Sequence, residues 1–280
     1  VDGAPAKPPI LEERELSAPL PPDVARQVIW GGARHSRVAA LRSEVTTRVP
    51  ILMYHRVADD GHASLDRYRV TTKAFAEQMR FLRAEGFWSV TPERWAEAIR
   101  TNTPLPGRPV MITFDDAYLD FAEHAWPILN AHDLSAVVFA IPGKVGETAD
   151  WDAVDGEAAP LLGWHGLRAL GAEGASIGGH GHTHRPLSRL DVEALYEEGL
   201  RSRAELQKAL GRAPTAFCYP YGASDRVVEQ VMAECGYELG FSCSPDVADL
   251  SDNPMYLPRI EITGSDDLET FSRKIGRPIS

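Results

Sequence analysis

The sequence predicts an α/β fold, a parallel (β/α) barrel of about seven strands. Three observations lead there. From Pro50 onward, short apolar runs alternate with amphipathic segments. The runs are apolar almost throughout rather than at every second position, the pattern of strands covered on both faces by helices. About seven such units follow one another without a break, which favours a closed barrel over an open sheet. In such a barrel the polar residues just past each strand's C-terminal end form the active site.

The elements follow in order. A first strand is expected over 51–57 (ILMYHRV), then helices over 73–86 and 92–100. A second strand at 109–114 (PVMITF) precedes a helix at 118–132, and a third strand lies at 135–141 (SAVVFAI). The fourth, 175–180 (ASIGGH), leads to a long helix at 191–211. The fifth, 215–221 (TAFCYPY), leads to a helix at 224–236, and strands at 237–243 and 255–262 complete the set. Several of these helices end at glycine, which accepts the positive φ that stops a helix.

Residues 1–48 read differently, with proline-rich stretches (APAKPP, SAPLPPD) that suit an extension rather than core. Within it, 23–30 (DVARQVIW) has the pattern of a short helix capped by Asp23. The domain expected to carry the chemistry is 49–280. No internal repeat is evident.

Composition narrows the function. A net charge of -11 argues against a protein that tracks phosphates, so no nucleic-acid partner is expected. No apolar run approaches 18 residues, so no membrane span is expected in this chain. Three cysteines, 218, 235 and 243, form neither a disulfide framework nor a C-x-x-C pair, although one bridge stays open.

Four stretches carry candidate chemistry. In MITFDDAYLD, Asp115 and Asp116 follow a strand, where adjacent side chains point to opposite sides. One carboxylate can then bind a metal while the other faces a reacting water; the alternative is a pair that caps the next helix. In GGHGHTHRP, His180, His182 and His184 stand at alternate positions beside glycines. An irregular turn there lets the outer pair converge on one ion, and two imidazoles plus a carboxylate leave open positions, as a catalytic zinc site requires. The rival is an H-x-H pair of His180 and His182, but no histidine follows His184 to complete it. YPYG (219–222) shapes a loop whose N–H can serve an oxyanion, or is an ordinary turn. His55 lies near the end of the first strand, placed for a general acid or for a satisfied rim residue.

Together TFDD, H-x-x-x-H, YPYG and the spacing from Trp164 through a strand to the histidines resemble the polysaccharide deacetylases, carbohydrate esterase family 4, over roughly residues 50–262. The resemblance implies a distorted (β/α) barrel and a hydrolase acting on a carbohydrate substrate. It makes Asp115 the base, and Asp116, His180 and His184 the ligands of a divalent metal, usually zinc, with cobalt or nickel tolerated. His182 is left as a bystander, and Tyr221 offers its N–H to the oxyanion.

Three positions depart from the family pattern. Gly181 stands where Ser or Thr is usual. Cys218 replaces the arginine that normally orients the base, and Arg259 in LPRIEI is a candidate to supply that charge from elsewhere. The late L-x-H motif that gives the acid histidine is missing after residue 257. ILMYHRV resembles the branch with permuted strand order, which includes deacetylases of biofilm poly-N-acetylglucosamine, and in that branch the first strand supplies the acid; this points to His55.

The expected reaction is removal of an N-acetyl group from an amino sugar. O-acetyl ester hydrolysis, as on acetylated xylan, and a carbohydrate-binding pseudoenzyme are the alternatives. Trp88, Trp151 and Trp164 are candidates to stack on sugar rings. The family setting is extracellular or at the cell envelope. Oligomeric state is open.

Overall fold

A computed structural model describes residues 44–156 and 158–276. The proline-rich stretches and the helix expected at 23–30 lie outside the described residues.

Eight strands make one parallel sheet: β1 (Ile51–Tyr54), β2 (Phe87–Ser89), β3 (Arg108–Phe114), β4 (Val137–Ala140), β5 (Ser176–Gly179), β6 (Ala216–Cys218), β7 (Leu239–Phe241) and β8 (Ile260–Glu261). Seven run in the order β7-β6-β5-β4-β3-β1-β8, while β2 pairs with the N-terminal half of β3. The chain advances along the sheet from β3 to β7 one strand at a time, as short crossover helices require. Leu257 bridges Phe241 of β7, and three residues later Ile260 pairs with Leu52 of β1. The segment 257–261 therefore joins the two edges, and the sheet is a distorted (β/α) barrel of the expected class.

Helices α1 (Thr72–Ala84), α2 (Pro92–Thr101), α3 (Trp126–Ala131), α4 (Trp164–Ala172), α5 (Val192–Leu210), α6 (Arg226–Glu234) and α7 (Leu268–Lys274) surround it. Side-chain caps start most of them; the Thr71 hydroxyl accepts from Ala74 N–H at 3.2 Å, and Asp191 from Ala194 N–H at 2.9 Å. The single helix expected over 118–132 is instead a π-helical turn, Phe121–Ala125, followed by α3. Pro127 has no N–H for the carbonyl four residues back, and the ladder widens just before it.

Strand alternation sorts the core into two layers. Ile51, Met111, Val137, Phe139, Ala216, Cys218, Leu239 and Phe241 meet inside the barrel. Leu52, Tyr54, Ile112, Phe114 and Val138 face outward against Phe75, Met79, Leu129 and Leu167 of the helices. Continuing the count past β3 places Asp115 on the inner side with Met111 and Thr113.

Three elements were not anticipated. β2 has only three residues, too few to show a period. α4 contains Gly166 and Gly171, which weaken its helical signal, and α7 is a two-turn piece at the end of the described chain. The strand expected over 255–262 shrinks to Ile260–Glu261, because Pro258 lacks a donor and Arg259 N–H bonds Ser244 O instead, at 2.9 Å. The last residues of the expected extension pair with the barrel: Val45–Thr46 with Leu105–Pro106, and Arg48–Val49 with Ala248–Asp249. No helix among the described residues is long and apolar enough to cross a membrane.

Candidate active site

The C-terminal ends of β1, β3, β5 and β6 open into a cavity of about 450 Å³. Asp115, Asp116, His180, His184, His55 and Tyr221 all line it.

Asp115 is buried and held from inside the barrel. Arg259 Nη1 donates to its Oδ1 at 2.7 Å and Nη2 to its Oδ2 at 2.8 Å. The guanidinium has no exposed surface and is itself fixed: Nε donates to Ser242 O at 2.8 Å and Nη1 to Thr113 Oγ1 at 3.1 Å. Burial works to raise the Asp115 pKa, and the charge and hydrogen bonds of Arg259 outweigh it, so the carboxyl lies below its ordinary value of 3.8. Cys218 Sγ touches both partners, 3.1 Å from Arg259 Nη2 and 3.5 Å from Asp115 Oδ2. A small side chain at 218 leaves the volume that the guanidinium of Arg259 fills. Burial pushes the Cys218 thiol well up, so it stays neutral beside the carboxylate. All three cysteines are free.

Asp116 would point away from Asp115 if the strand continued. Instead the chain turns, with φ of 70° at Asp116 and 58° at Ala117, and the carboxylate swings toward the histidine loop. Its Oδ1 lies 3.3 Å from His180 Nε2 and 3.2 Å from His184 Nε2. Neither aspartate caps the following helical turn, whose N-cap is Asp120. His180 extends from β5, and its Nδ1 meets Cys218 O at 2.8 Å, which leaves Nε2 as the free ligand atom. His184 adopts φ of 62° and is flanked by rings, Trp151 at 4.0 Å and Tyr221 at 4.6 Å between centroids.

The donor set fits a divalent cation. One ligand atom from each of Asp116, His180 and His184 lies within 4.8 Å of the others, and all three residues are buried. Asp116 Oδ1 has no hydrogen-bond partner among the described residues, despite two imidazole nitrogens within 3.3 Å. Such atoms converge as ligands do, and a carboxylate with two imidazoles suits zinc or a similar metal. His182 points elsewhere: its Nε2 meets Glu205 Oε1 at 3.1 Å.

His55 lines the same cavity, partly buried, with its ring 4.9 Å from that of Tyr68. Tyr221 has φ of 59° in a single 3₁₀ turn, Pro220–Gly222, in which Pro220 carries no N–H and the Gly222 N–H donates to Tyr219 O at 2.8 Å. Of the three tryptophans singled out, Trp151 lines the cavity; Trp88 donates to Pro106 O at 2.8 Å, and Trp164 packs on the helix-side core. Sequence reasoning missed Tyr118, whose hydroxyl donates to Asp152 at 2.5 Å on the cavity wall. Its signal was its position, three residues past Asp115 in MITFDDAYLD. Burial raises the Tyr118 hydroxyl far above the usual phenol range.

The fold and this constellation define a (β/α)-barrel protein with a buried carboxylate–histidine centre at the strand ends. The family model for polysaccharide deacetylase matches residues 102–240, which span both aspartates, the histidine loop and Cys218. The chain carries a polysaccharide deacetylase domain over these residues. It is 26% identical over 236 residues to the poly-beta-1,6-N-acetyl-D-glucosamine N-deacetylase of Staphylococcus aureus (strain MRSA252), covering 77% of this chain and 78% of that protein. It is 26% identical over 256 residues to the enzyme of the same name from Escherichia coli (strain K12), covering 80% of this chain; the chain spans only 38% of that relative. Among solved structures, the Streptococcus pyogenes deacetylase PplD, in complex with acetate, superposes with a TM-score of 0.72 at 25% identity, covering 82% of this chain and 99% of that one.

Proposed function

We propose that the protein is a metal-dependent deacetylase that removes N-acetyl groups from a poly- or oligosaccharide containing N-acetylglucosamine. The observation that carries this reading is the division of labour between adjacent aspartates: Asp115 is locked on Arg259, while Asp116 turns to His180 and His184. The names of the Staphylococcus and Escherichia relatives support the amino-sugar substrate.

Asp116, His180 and His184 would hold the divalent ion, zinc by preference. When bound, the ion supplies Lewis acidity that polarises the acetyl carbonyl and makes water a stronger acid. The chain's own residues do the rest. Asp115, ionised throughout the neutral range, accepts the proton of the attacking water. Because Arg259 keeps Asp115 a weak base, the proton does not settle there and passes on toward the leaving group. Tyr221 N–H donates to the developing oxyanion. His55, which lines the same cavity, protonates the departing amine, which leaves poorly as an anion. Trp151 and Tyr221 clamp His184 between rings and fix its direction. The catalytic unit is 49–280, with 1–48 as an extension, and a polymer substrate of this kind places the reaction outside the cell or at its envelope.

The experiment is acetate release from a panel of N- and O-acetylated glycans, with chelator and with added zinc. Zinc-dependent release from N-acetylglucosamine oligomers is expected. Release from acetylxylan alone would assign an esterase, and binding without release would assign a pseudoenzyme.

A further inference from the structure

The histidine loop rests on a carboxylate that comes from outside the site. Glu198 lies in the middle of α5, where a charged side chain ordinarily faces water, yet it is only 5% exposed. Its Oε2 accepts the N–H of His182 at 2.6 Å and that of Thr183 at 2.9 Å, and its Oε1 accepts from the Thr183 hydroxyl. Two successive N–H groups aimed at one oxygen form an anion nest, and here the protein supplies the anion. The nest lies between the two histidines that face Asp116.

Gly181 completes the arrangement. Its φ is +70°, and a Cβ at this position would lie 3.0 Å from Glu198 Oε2. A side chain at 181 would crowd the Glu198 carboxylate by a few tenths of an ångström, and the positive φ strains any residue but glycine there. Behind the loop, His182 O accepts from Gly143 N–H at 3.0 Å and its ring is tied to Glu205, so the loop is held at its middle while both ends turn into the cavity.

We propose that Glu198 is a positioning residue for the metal centre: it folds Gly181–Thr183 so that the Nε2 atoms of His180 and His184 converge on Asp116. The proposal rests on the reading that these three residues hold a divalent ion. A buried carboxylate with three donors is well satisfied, and removing it takes the acceptor from the buried His182 N–H and from the N–H and hydroxyl of Thr183, which loosens the loop.

The test measures Zn²⁺ affinity of metal-stripped protein by competition with a fluorescent chelator, beside circular dichroism of the metal-free forms. Glu198→Ala should weaken Zn²⁺ binding by ~10–100-fold, the usual effect of losing a group that orients a ligand. Glu198→Gln keeps the shape and one acceptor oxygen, so it should fold like the wild type, recover most of the affinity and shift the visible absorption bands of the Co²⁺-loaded protein. Wild-type affinity in folded Glu198→Ala overturns the proposal. If Glu198→Ala does not fold, Glu198→Gln decides alone: a Co²⁺ spectrum and affinity identical to wild type overturn it. An equal loss of affinity in Glu197→Ala, an exposed residue of the same helix, would assign the effect to the α5 surface in general and overturn it too. Failure of the underlying metal reading looks different: the wild type would bind no ion, or Asp116→Asn would bind as tightly as wild type.

Discussion

Arg259 and Asp115 meet as a two-pronged pair, 2.7 and 2.8 Å apart, with the arginine wholly enclosed. They are far apart in sequence and come together because Arg259, on the closing segment 257–261 between β7 and β8, reaches across the barrel interior to the end of β3. A charge pair this deeply buried is strongly destabilised when one partner is lost, by about 3–5 kcal/mol. Arg259→Ala is therefore expected to lower denaturant stability by roughly that amount and to cut turnover in whatever folds. Equilibrium urea unfolding with parallel acetate release checks both.

Asp115→Asn separates base from ligand. The amide keeps the size of the carboxylate but cannot take a proton. Metal content should stay at the wild-type level while kcat falls by about 10²–10⁴, the usual range for a lost general base. Elemental analysis of the purified variant reads the first and acetate release the second. Loss of metal would make Asp115 a ligand instead.

His55→Ala should likewise keep its metal and lose turnover, by about 10²-fold or more. The loss should shrink for O-acetyl esters, whose alcohol leaves more readily than an amine. A near-normal rate on the amide substrate would remove His55 from the mechanism.

The pH dependence follows from the same pair. Asp115 has a folded pKa below its ordinary 3.8, through Arg259 against the opposing effect of burial. Stability from a depressed carboxyl is fully present above the unfolded pKa and lost as pH falls through the folded one. The stability that ionised Asp115 gives metal-free wild type over Asp115→Asn should thus shrink as pH falls below about 4. Denaturant unfolding at a series of pH values measures it.

Cys218→Arg would restore the arginine usual in the family, and should fail alone. The guanidinium of Arg259 already fills that space 3.1 Å from Cys218 Sγ, so a second cation would be both crowded and repelled. Pairing Cys218→Arg with Arg259→Leu should recover much of the lost stability, a coupling that a double-mutant cycle in thermal unfolding reads directly.

Much of this was legible in the sequence. The strands from β3 to β7 announced themselves as apolar runs, and the alternation past PVMITF put Asp115 inside the barrel. The direction of Asp116 was not legible, because it depends on positive φ at two non-glycine residues that tertiary contacts impose. Arg259 was legible as a candidate charge for the base, because Cys218 left that role open; its reach to Asp115 depends on where the barrel closes. Glu198 was hidden for a simpler reason. In DVEALYEEGLRSRAELQKALG it is one of several glutamates at helical spacing, and only the packing of α5 under the histidine loop sets it apart.

The most direct measurement titrates Zn²⁺ into chelator-stripped protein while acetate release from an N-acetylglucosamine oligomer is followed. Release should be absent without metal, rise in proportion to added ion and level off at one equivalent, with Asp116→Asn inactive throughout. Full release from the metal-free protein, or an Asp116→Asn variant as active as wild type at one equivalent, would contradict a catalytic metal held by Asp116, His180 and His184.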